Sequence, residues 1–420
     1  MGSLLKAAFG ALVLGAASAA AESDRHEFLL DAAAGYVSAS SELGGWTDGT
    51  FGKLRHADDG LTGFRLFGEY HGRITATLRA RVVADYVDDA SGGPDLTEAV
   101  LDWRPLPRSR NQHQVRFGAF YPPFSLENGD RGWQSPFTYS YSAINTWLGE
   151  EIRPFGAEWS LRRRLAGHRS NHELRAFAAA FHGNDPAGTL LFWRGWSLHD
   201  RQTRLNDELA IPPLPLTTVP QRLDPFEEID DRAGAYAGVE WRYGRRALVQ
   251  LARYDNRADP YSFSDGQWGW ATDFDHLAVQ VSLPAELGLV AQRLDGATKW
   301  LPGARADGTF EPWAFFAHDE IESRFVLLTR RLGTAQRLSL RYDTFSIERP
   351  AAAPVLRSDR GHAWTVSYRF EPAERLSGGV EWLRVDSRRD LLPTFYATPA
   401  AHTEEQLRLQ FSYRLAAPAR

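Results

Sequence analysis

Past residue 21 the chain is dominated by period-two alternation of apolar and polar side chains, the mark of β-strands whose two faces meet different surroundings. Ile74, Ala76, Leu78, Ala80, Val82, Ala84 and Tyr86 alternate with Arg73, Thr75, Thr77, Arg79, Arg81, Val83 and Asp85. Near the C-terminus, Leu407, Leu409, Phe411, Tyr413 and Leu415 alternate with Gln406, Arg408, Gln410, Ser412 and Arg414. Trp364, Val366, Tyr368 and Phe370 do so against Ala363, Thr365, Ser367 and Arg369, and Ala99, Leu101 and Trp103 against Glu98, Asp102 and Arg104. Weaker segments fall near 30–40, 62–70, 113–120, 155–164, 173–182, 233–243, 246–254, 274–283, 287–295, 321–331, 337–346 and 376–385. The count is about sixteen strands, most of them close to the ~9–11 residues a tilted strand needs to cross a bilayer.

The connections carry as much information as the strands. Tight links are expected at His71-Gly72, Gly244-Arg245, Pro284-Ala285 and Glu371-Pro372-Ala373. Between them lie long links at 41–61, 87–95, 121–154, 183–232, 255–273, 296–320, 347–362 and 386–405. Short and long links alternate, as they do in a transmembrane barrel with short periplasmic turns, long external loops and both termini in the periplasm. A secreted β-sandwich is the competing all-β reading, with the arginine face in water and the apolar face in a core. It gives no reason for one end to stay short throughout, and loops of this length are uncommon on a compact soluble domain. Aromatic residues near strand ends (Trp103, Phe120, Trp159, Trp241, Tyr243, Trp382) suit an interfacial girdle, and the chain closes on an apolar and aromatic strand, Leu407 to Leu415.

Composition narrows this further. No apolar run after residue 21 is long enough for a transmembrane helix, so a membrane role must use strands. Cysteine is absent, which removes disulfide scaffolds and Cys-based metal sites. A net charge of −5 argues against a general nucleic-acid binder. Lys occurs only at 6, 53 and 299, and the other 45 of the 48 basic residues are Arg. Residues 1–21 read as a signal peptide: Lys6 precedes the apolar stretch 7–16, and Ala17-Ser18-Ala19 or Ala19-Ala20-Ala21 offers a small-x-small cleavage site. The alternative is an uncleaved N-terminal anchor, for which the apolar stretch is short. Residues 22–420 then form one barrel domain, with the Pro-rich stretch around 211–215 as a loop excursion rather than a linker.

Residues 114–160 carry a resemblance. Arg116, Gly118, Phe120, Pro123, Phe124, Leu126, Glu127 and Asn128 form an R-x-G-x-F strand end running into P-F-x-L-E-N, and Glu150, Glu151, Arg153, Gly156, Ala157 and Glu158 follow as E-E-x-R-x-x-G-A-E. This resembles the third-loop region of porins in the phosphate-selective O and P superfamily, over about fifty residues. The resemblance implies a sixteen-stranded barrel, often a homotrimer, whose third external loop (121–154) folds inward to constrict the pore. It makes Glu127, Asp130, Arg131, Glu150, Glu151 and Arg153 the candidate constriction residues. The loop departs from the pattern a phosphate pore needs, since four carboxylates stand against two arginines, and phosphate selectivity is not supported by it.

If the apolar faces meet lipid, the polar faces line the lumen. That places Arg73, Arg79, Arg81, Arg116, Arg162, Arg164, Arg324, Arg341, Arg369 and Arg408 on the pore wall, with Glu98, Asp102, Glu158, Glu240, Asp343 and Glu381. Such a wall implies passive diffusion of small polar or anionic solutes, because rings of guanidinium set a preference for anions. The plainer reading is that Arg and carboxylate pair across neighbouring strands and stiffen the wall. The run Leu191-Phe192-Trp193-Arg194-Gly195-Trp196 is an aromatic track for sugars or a plug, or, the favoured reading, packs a loop against itself or a neighbouring subunit. A plugged barrel acting as scaffold or adhesin, and an outer-membrane lipid-modifying enzyme, are the alternatives. The second is the weaker, since there is no G-x-S-x-G elbow and the histidines are scattered; His168 and His172 sit on an expected short turn. No cofactor or metal is expected.

Overall fold

Each alternating segment becomes a strand, and each strand pairs antiparallel with the next. In the computed structural model, described over residues 26–88, 93–107, 109–167, 170–212, 222–301, 317–349 and 358–416, sixteen strands close into one barrel. They are β1 (His26–Ser40), β2 (Gly60–Arg73), β3 (Leu78–Val87), β4 (Asp95–Trp103), β5 (Asn111–Ala119), β6 (Phe155–Arg164), β7 (His172–His182) and β8 (Gly234–Tyr243). The second half comprises β9 (Ala247–Asp255), β10 (Ala271–Leu283), β11 (Leu287–Trp300), β12 (Ala317–Leu332), β13 (Gln336–Glu348), β14 (Ser358–Ala373), β15 (Leu376–Arg389) and β16 (Ala401–Ala416). Pairing of β16 with β1, with Leu409 opposite Tyr36 and Leu407 opposite Ser38, closes the barrel and leaves no free edge. The chain is thus an all-β transmembrane barrel. No helix among the described residues is long and apolar enough to cross a membrane. Residues 1–21, the expected signal peptide, lie outside the described residues.

Short turns occupy one end and long loops (L1 to L8) the other, so the alternation of link lengths is real. Two turns sit elsewhere than the pattern suggests. The β2–β3 turn is at Ile74–Thr77, not His71-Gly72: Ile74 and Thr75 N–H donate to the Leu78 carbonyl, and the Thr75 hydroxyl accepts from the backbone of Thr77 and Leu78. Apolar alternation runs straight through this turn, which is why the pattern hid it, and the threonine hydroxyl is what turns the chain. The β14–β15 turn likewise falls at 374–375, just after the expected Glu371-Pro372-Ala373.

The outer surface carries an apolar belt: Phe117, Trp159, Leu251, Val326, Leu328, Leu340, Trp364, Trp382, Leu407, Leu409 and Phe411 are all exposed. A surface this apolar is an aggregation hazard in water and a match for hydrocarbon. Toward the long-loop end the outer face turns ionic, with Arg253–Asp273 at 2.7 Å and Arg384–Glu405 at 2.8 Å, so the lipid band ends below those pairs.

The inner surface departs from a simple polar lining. Along β7 to β15 many inward positions are apolar, including Phe177, Phe181, Tyr236, Tyr254, Phe274, Leu294, Phe325, Leu327, Phe345, Leu383 and Val385, all buried. What buries them is the chain itself. L3 (120–154) and the described parts of L4 (183–212 and 222–233) fold into the barrel, with residues 51–55 of L1, and form a continuous core against that wall. Phe124 of L3 meets Phe274 at 5.7 Å and Tyr236 at 5.4 Å edge-on, and Trp147 bridges to Trp196 of L4 at 5.8 Å. Helix α1 (Ala143–Glu151) in L3 is buried over all nine residues, and its N-terminus is capped by the Ser142 side chain, which accepts from Asn145 N–H. Each large side chain so buried contributes roughly 1.5–3 kcal/mol.

Candidate functional site: the filled lumen and its charged mouth

The P-F-x-L-E-N segment turns out to be the anchor of L3. Gly118, at the strand end before it, has φ +128, and a Cβ there would lie 2.0 Å from the Ala99 carbonyl, so glycine is required. The N–H groups of Leu126 and Glu127 both donate to Gln292 Oε1 of β11, at 2.9 and 3.2 Å. Glu127 then accepts from Arg341 Nη1 of β13 at 2.6 Å, from Ser142 N–H at 3.0 Å and from Asn145 Nδ2 at 2.7 Å. Arg341 also reaches Asp343 (2.8 Å) and the carbonyls of Ser140 and Tyr141, so one guanidinium joins L3 to the wall. On β15, Glu381 accepts from the N–H groups of Tyr139 and Ser140.

L4 is tied to L3 and to the wall in the same manner. Glu150 pairs with His199 at 3.0 Å. Glu151 accepts from Gly188 and Leu190 N–H, both at 3.1 Å, and from the Trp147 indole. Burial pushes the Glu151 carboxyl up to about 8, against the pull of those three hydrogen bonds. Arg153 bonds the Thr203 carbonyl, the Tyr121 hydroxyl and the Gly149 carbonyl, and stacks over the Tyr121 ring. Asp200 bridges Arg55 of L1 (3.0 Å) and Arg408 of β16 (2.7 Å). Burial raises the Asp200 carboxyl, but Arg408 and Arg55 outweigh it and hold it well below the ordinary range. Lys53, one of three lysines in the chain, is wholly buried and pairs with Asp359 at 3.2 Å.

The expected constriction residues therefore divide. Glu127, Glu150, Glu151 and Arg153 are buried in these ties and present nothing to an open pore, which corrects the expectation. Asp130 and Arg131 instead border a cavity of about 110 Å³ inside the barrel near the short-turn end, beside Asp31, Arg65, Arg369 and Arg414.

The wall arginines divide too. Arg324 is corrected outright: it lies on the outer face in line with Val326 and Leu328, exposed, with Nε donating to the Thr344 hydroxyl. Period two alone could not tell the faces apart there, because Phe325 to Leu328 is apolar on both. Arg341 and Arg408 point inward but are sealed under L3 and L4. Arg369 points inward, donates to the Ser135 carbonyl at 2.6 Å and lies over the Tyr139 ring. Arg73, Arg79, Arg81, Arg116, Arg162 and Arg164 share the inward face of β2, β3, β5 and β6.

Along this stretch, toward the short-turn end, the inward charged side chains keep contact with solvent. The pairs have a consistent orientation. Arg81 keeps 30% of its side-chain surface exposed, while its partners Glu69 and Glu98 keep 4% and 2%. Arg116 and Arg175 keep 16% and 15%, while the Glu158 between them keeps 1%. Arg162 and Arg164 lie outside Glu173 in the same sense. Carboxylates sit behind, and guanidinium edges meet the water.

Sequence reasoning missed Arg65–Asp85 (2.8 Å) and Arg175, and it held a plug formed by the loop 183–232 only as an alternative to the open pore. The signal available was the continuous apolar run Phe325 to Leu328, which means an apolar inner as well as outer face there. The run 191–196 packs as loop core, with Phe192 and Trp193 against Trp270 and Trp300.

The chain matches the outer membrane channel DcaP of Acinetobacter baumannii with a TM-score of 0.52 at 11% identity, over 93% of this chain and 96% of that one. It matches OmpT, an outer membrane protein of Vibrio cholerae, at 0.52 and 9% identity (94% and 99% covered), and Salmonella typhi OmpF at 0.52 and 9% (93% and 97%). The fold is porin-like. At such identities the likeness concerns the barrel alone, and it does not single out the phosphate-selective group. No protein-family model and no curated protein matches the sequence.

Proposed function

We propose that this barrel is a passive outer-membrane channel for small polar solutes, with a preference for anions, held shut by L3 and L4 in the conformation described. The observation that carries the reading is the orientation of the wall pairs: across β2 to β7 the solvent-facing charge is guanidinium, with the carboxylates behind it. Both ideas raised by the sequence meet here, since cross-strand pairing exists and still leaves a cationic surface. Guanidinium on a low-dielectric wall raises the local concentration of anions and chelates carboxylate or phosphate groups with its planar fork. The short-turn end, and with it the charged mouth, faces the periplasm in this reading. Homotrimers fit the reading, a trimer form being described for the Vibrio cholerae protein.

The filled lumen favours a second reading, a closed barrel serving as scaffold or adhesin. Planar-bilayer recordings of the refolded mature chain separate them. The channel reading expects rare, small steps from the wild type and frequent ones after residues 187–223 are replaced by a short Gly/Ser turn. In a KCl gradient the reversal potential should move toward that of chloride. Cation preference would overturn the arginine argument. Silence from both proteins would overturn the channel and leave the scaffold.

A further inference from the structure

The neck of L4 gathers three carboxylates that the channel reading does not use. Asp185 lies three residues beyond the end of β7, and Glu228 and Asp230 lie just before the start of β8. One oxygen from each lies within 4.8 Å of the others. Asp185 is 1% exposed, and its Oδ2 accepts from the N–H groups of Ile229 (2.6 Å) and Asp230 (3.2 Å). Its Oδ1 is buried without a hydrogen-bond partner, and so is Glu228 Oε1. Buried polar atoms are almost always satisfied, and two unsatisfied carboxylate oxygens facing like charge are costly. The cations at hand are Arg232, 3.8 Å from Asp230 and half-exposed, and His182, 3.4 Å from Glu228 Oε2. Neither reaches the two free oxygens.

We propose that Asp185, Glu228 and Asp230 form a calcium site that clasps the two legs of L4. All three ligands are hard carboxylate oxygens, which suit Ca²⁺ or Mg²⁺ rather than a softer metal. Ligand number favours Ca²⁺, which takes about six to eight oxygens in flexible geometry, over Mg²⁺, which is usually held by one or two carboxylates and keeps its waters. Water completes the coordination from the exposed side, where Glu228 and Asp230 are half-buried. A cation here neutralises the mutual repulsion of the three and joins the exit of β7 to the entry of β8, fixing the base of the loop that fills the lumen.

The test uses the refolded full-length mature chain, stripped with EDTA and titrated with CaCl₂ by calorimetry, with Tb³⁺ luminescence excited through tryptophan as a second readout. Trp270 N–H donates to the Asp185 carbonyl, so an indole-bearing residue adjoins the site. The expected result is one Ca²⁺ per chain with a dissociation constant at or below the ~10⁻⁴–10⁻³ M of extracellular sites, and Mg²⁺ at least about tenfold weaker. Asp185→Asn/Glu228→Gln should abolish binding while raising the melting temperature in EDTA, because the repulsion is gone. Should that pair misfold, Glu228→Gln alone, at a half-exposed position, should weaken binding at least about tenfold. Asp275→Asn on the outer face controls for diffuse surface binding and should change nothing. No saturable binding up to about 10 mM, ten times the weakest extracellular range, would overturn the site. So would binding that survives in the double variant or falls equally in the control. None of these readouts depends on whether the barrel conducts.

Discussion

Arg341→Met offers the sharpest test of how L3 is held. The guanidinium is fully buried and serves two buried carboxylates, Glu127 and Asp343, together with the carbonyls of Ser140 and Tyr141 and the hydroxyls of Thr138 and Thr365. Methionine fills much of the volume and removes every donor. Breaking a buried ion pair by deleting one partner costs about 3–5 kcal/mol, because the other charge remains buried and uncompensated. The two carboxylates are not equally exposed to this loss. Glu127 keeps Ser142 N–H and Asn145 Nδ2, while Asp343 keeps only Ala143 N–H at 3.2 Å among its loop partners, so Asp343 should dominate the cost. The barrel ladder is untouched, so the penalty falls on the docking of L3 rather than on the strands. A shift of 3–5 kcal/mol changes the docked-to-undocked ratio by roughly 10² to 10³·⁵, at tenfold per 1.4 kcal/mol. Bilayer recordings should show open time rising by at least that lower factor, and proteolysis within 121–154 should accelerate in parallel. Arg341→Met/Glu127→Gln/Asp343→Asn should restore most of the docking, since removing all the charges together is close to neutral. Wild-type open time and protease resistance in Arg341→Met would refute the claim that this guanidinium pins the loop.

Two further perturbations address L4, and their pH dependences run in opposite directions. The Glu151 carboxyl is raised to about 8 from an ordinary value near 4.5, so the folded latch binds a proton that the released loop gives up. L3–L4 docking is then strongest below about pH 4.5 and weakens as pH rises toward 8, by up to about 1.4 kcal/mol per unit. Glu151→Gln should flatten that profile when L4 cleavage is followed from pH 5 to 9, and an unchanged slope would count against the latch. Asp200 is held well below the ordinary carboxylate range, so its bridge to Arg55 and Arg408 persists above about pH 4 and is lost only as pH falls further. Asp200→Asn should remove the carboxylate that Arg55 and Arg408 share, leaving Arg408 buried without its carboxylate partner, and cost about 3–5 kcal/mol of L4 docking at neutral pH. Equal cleavage rates for this variant and the wild type would dismiss the bridge as a strap.

Much of the barrel was legible in the chain. Alternation such as Leu407 to Leu415 fixes strand type and sorts the side chains onto two unlike faces, because a strand between two unlike media must separate them at period two. The short–long rhythm of the links fixes strand count and the side on which the loops lie. Both signals are local, so they survive without knowledge of partners. They fail where the two faces meet similar surroundings: at Phe325 to Leu328 the inner face is as apolar as the outer, and Arg324 was assigned to the lumen on a pattern that had no way to choose. The lumen itself was decided only by tertiary structure. That Glu127, Glu150, Glu151 and Arg153 share a loop is written in the sequence. That they are buried ties depends on Gln292, Arg341, His199 and Gly188, which are brought beside them only when the barrel closes. The same closure sets Arg81 in front of Glu98 and brings Asp185 to Glu228 across L4. Strand chemistry is a property of neighbours along the chain, whereas a filled pore, its exposed charge and a cation clasp are properties of residues that meet only across it.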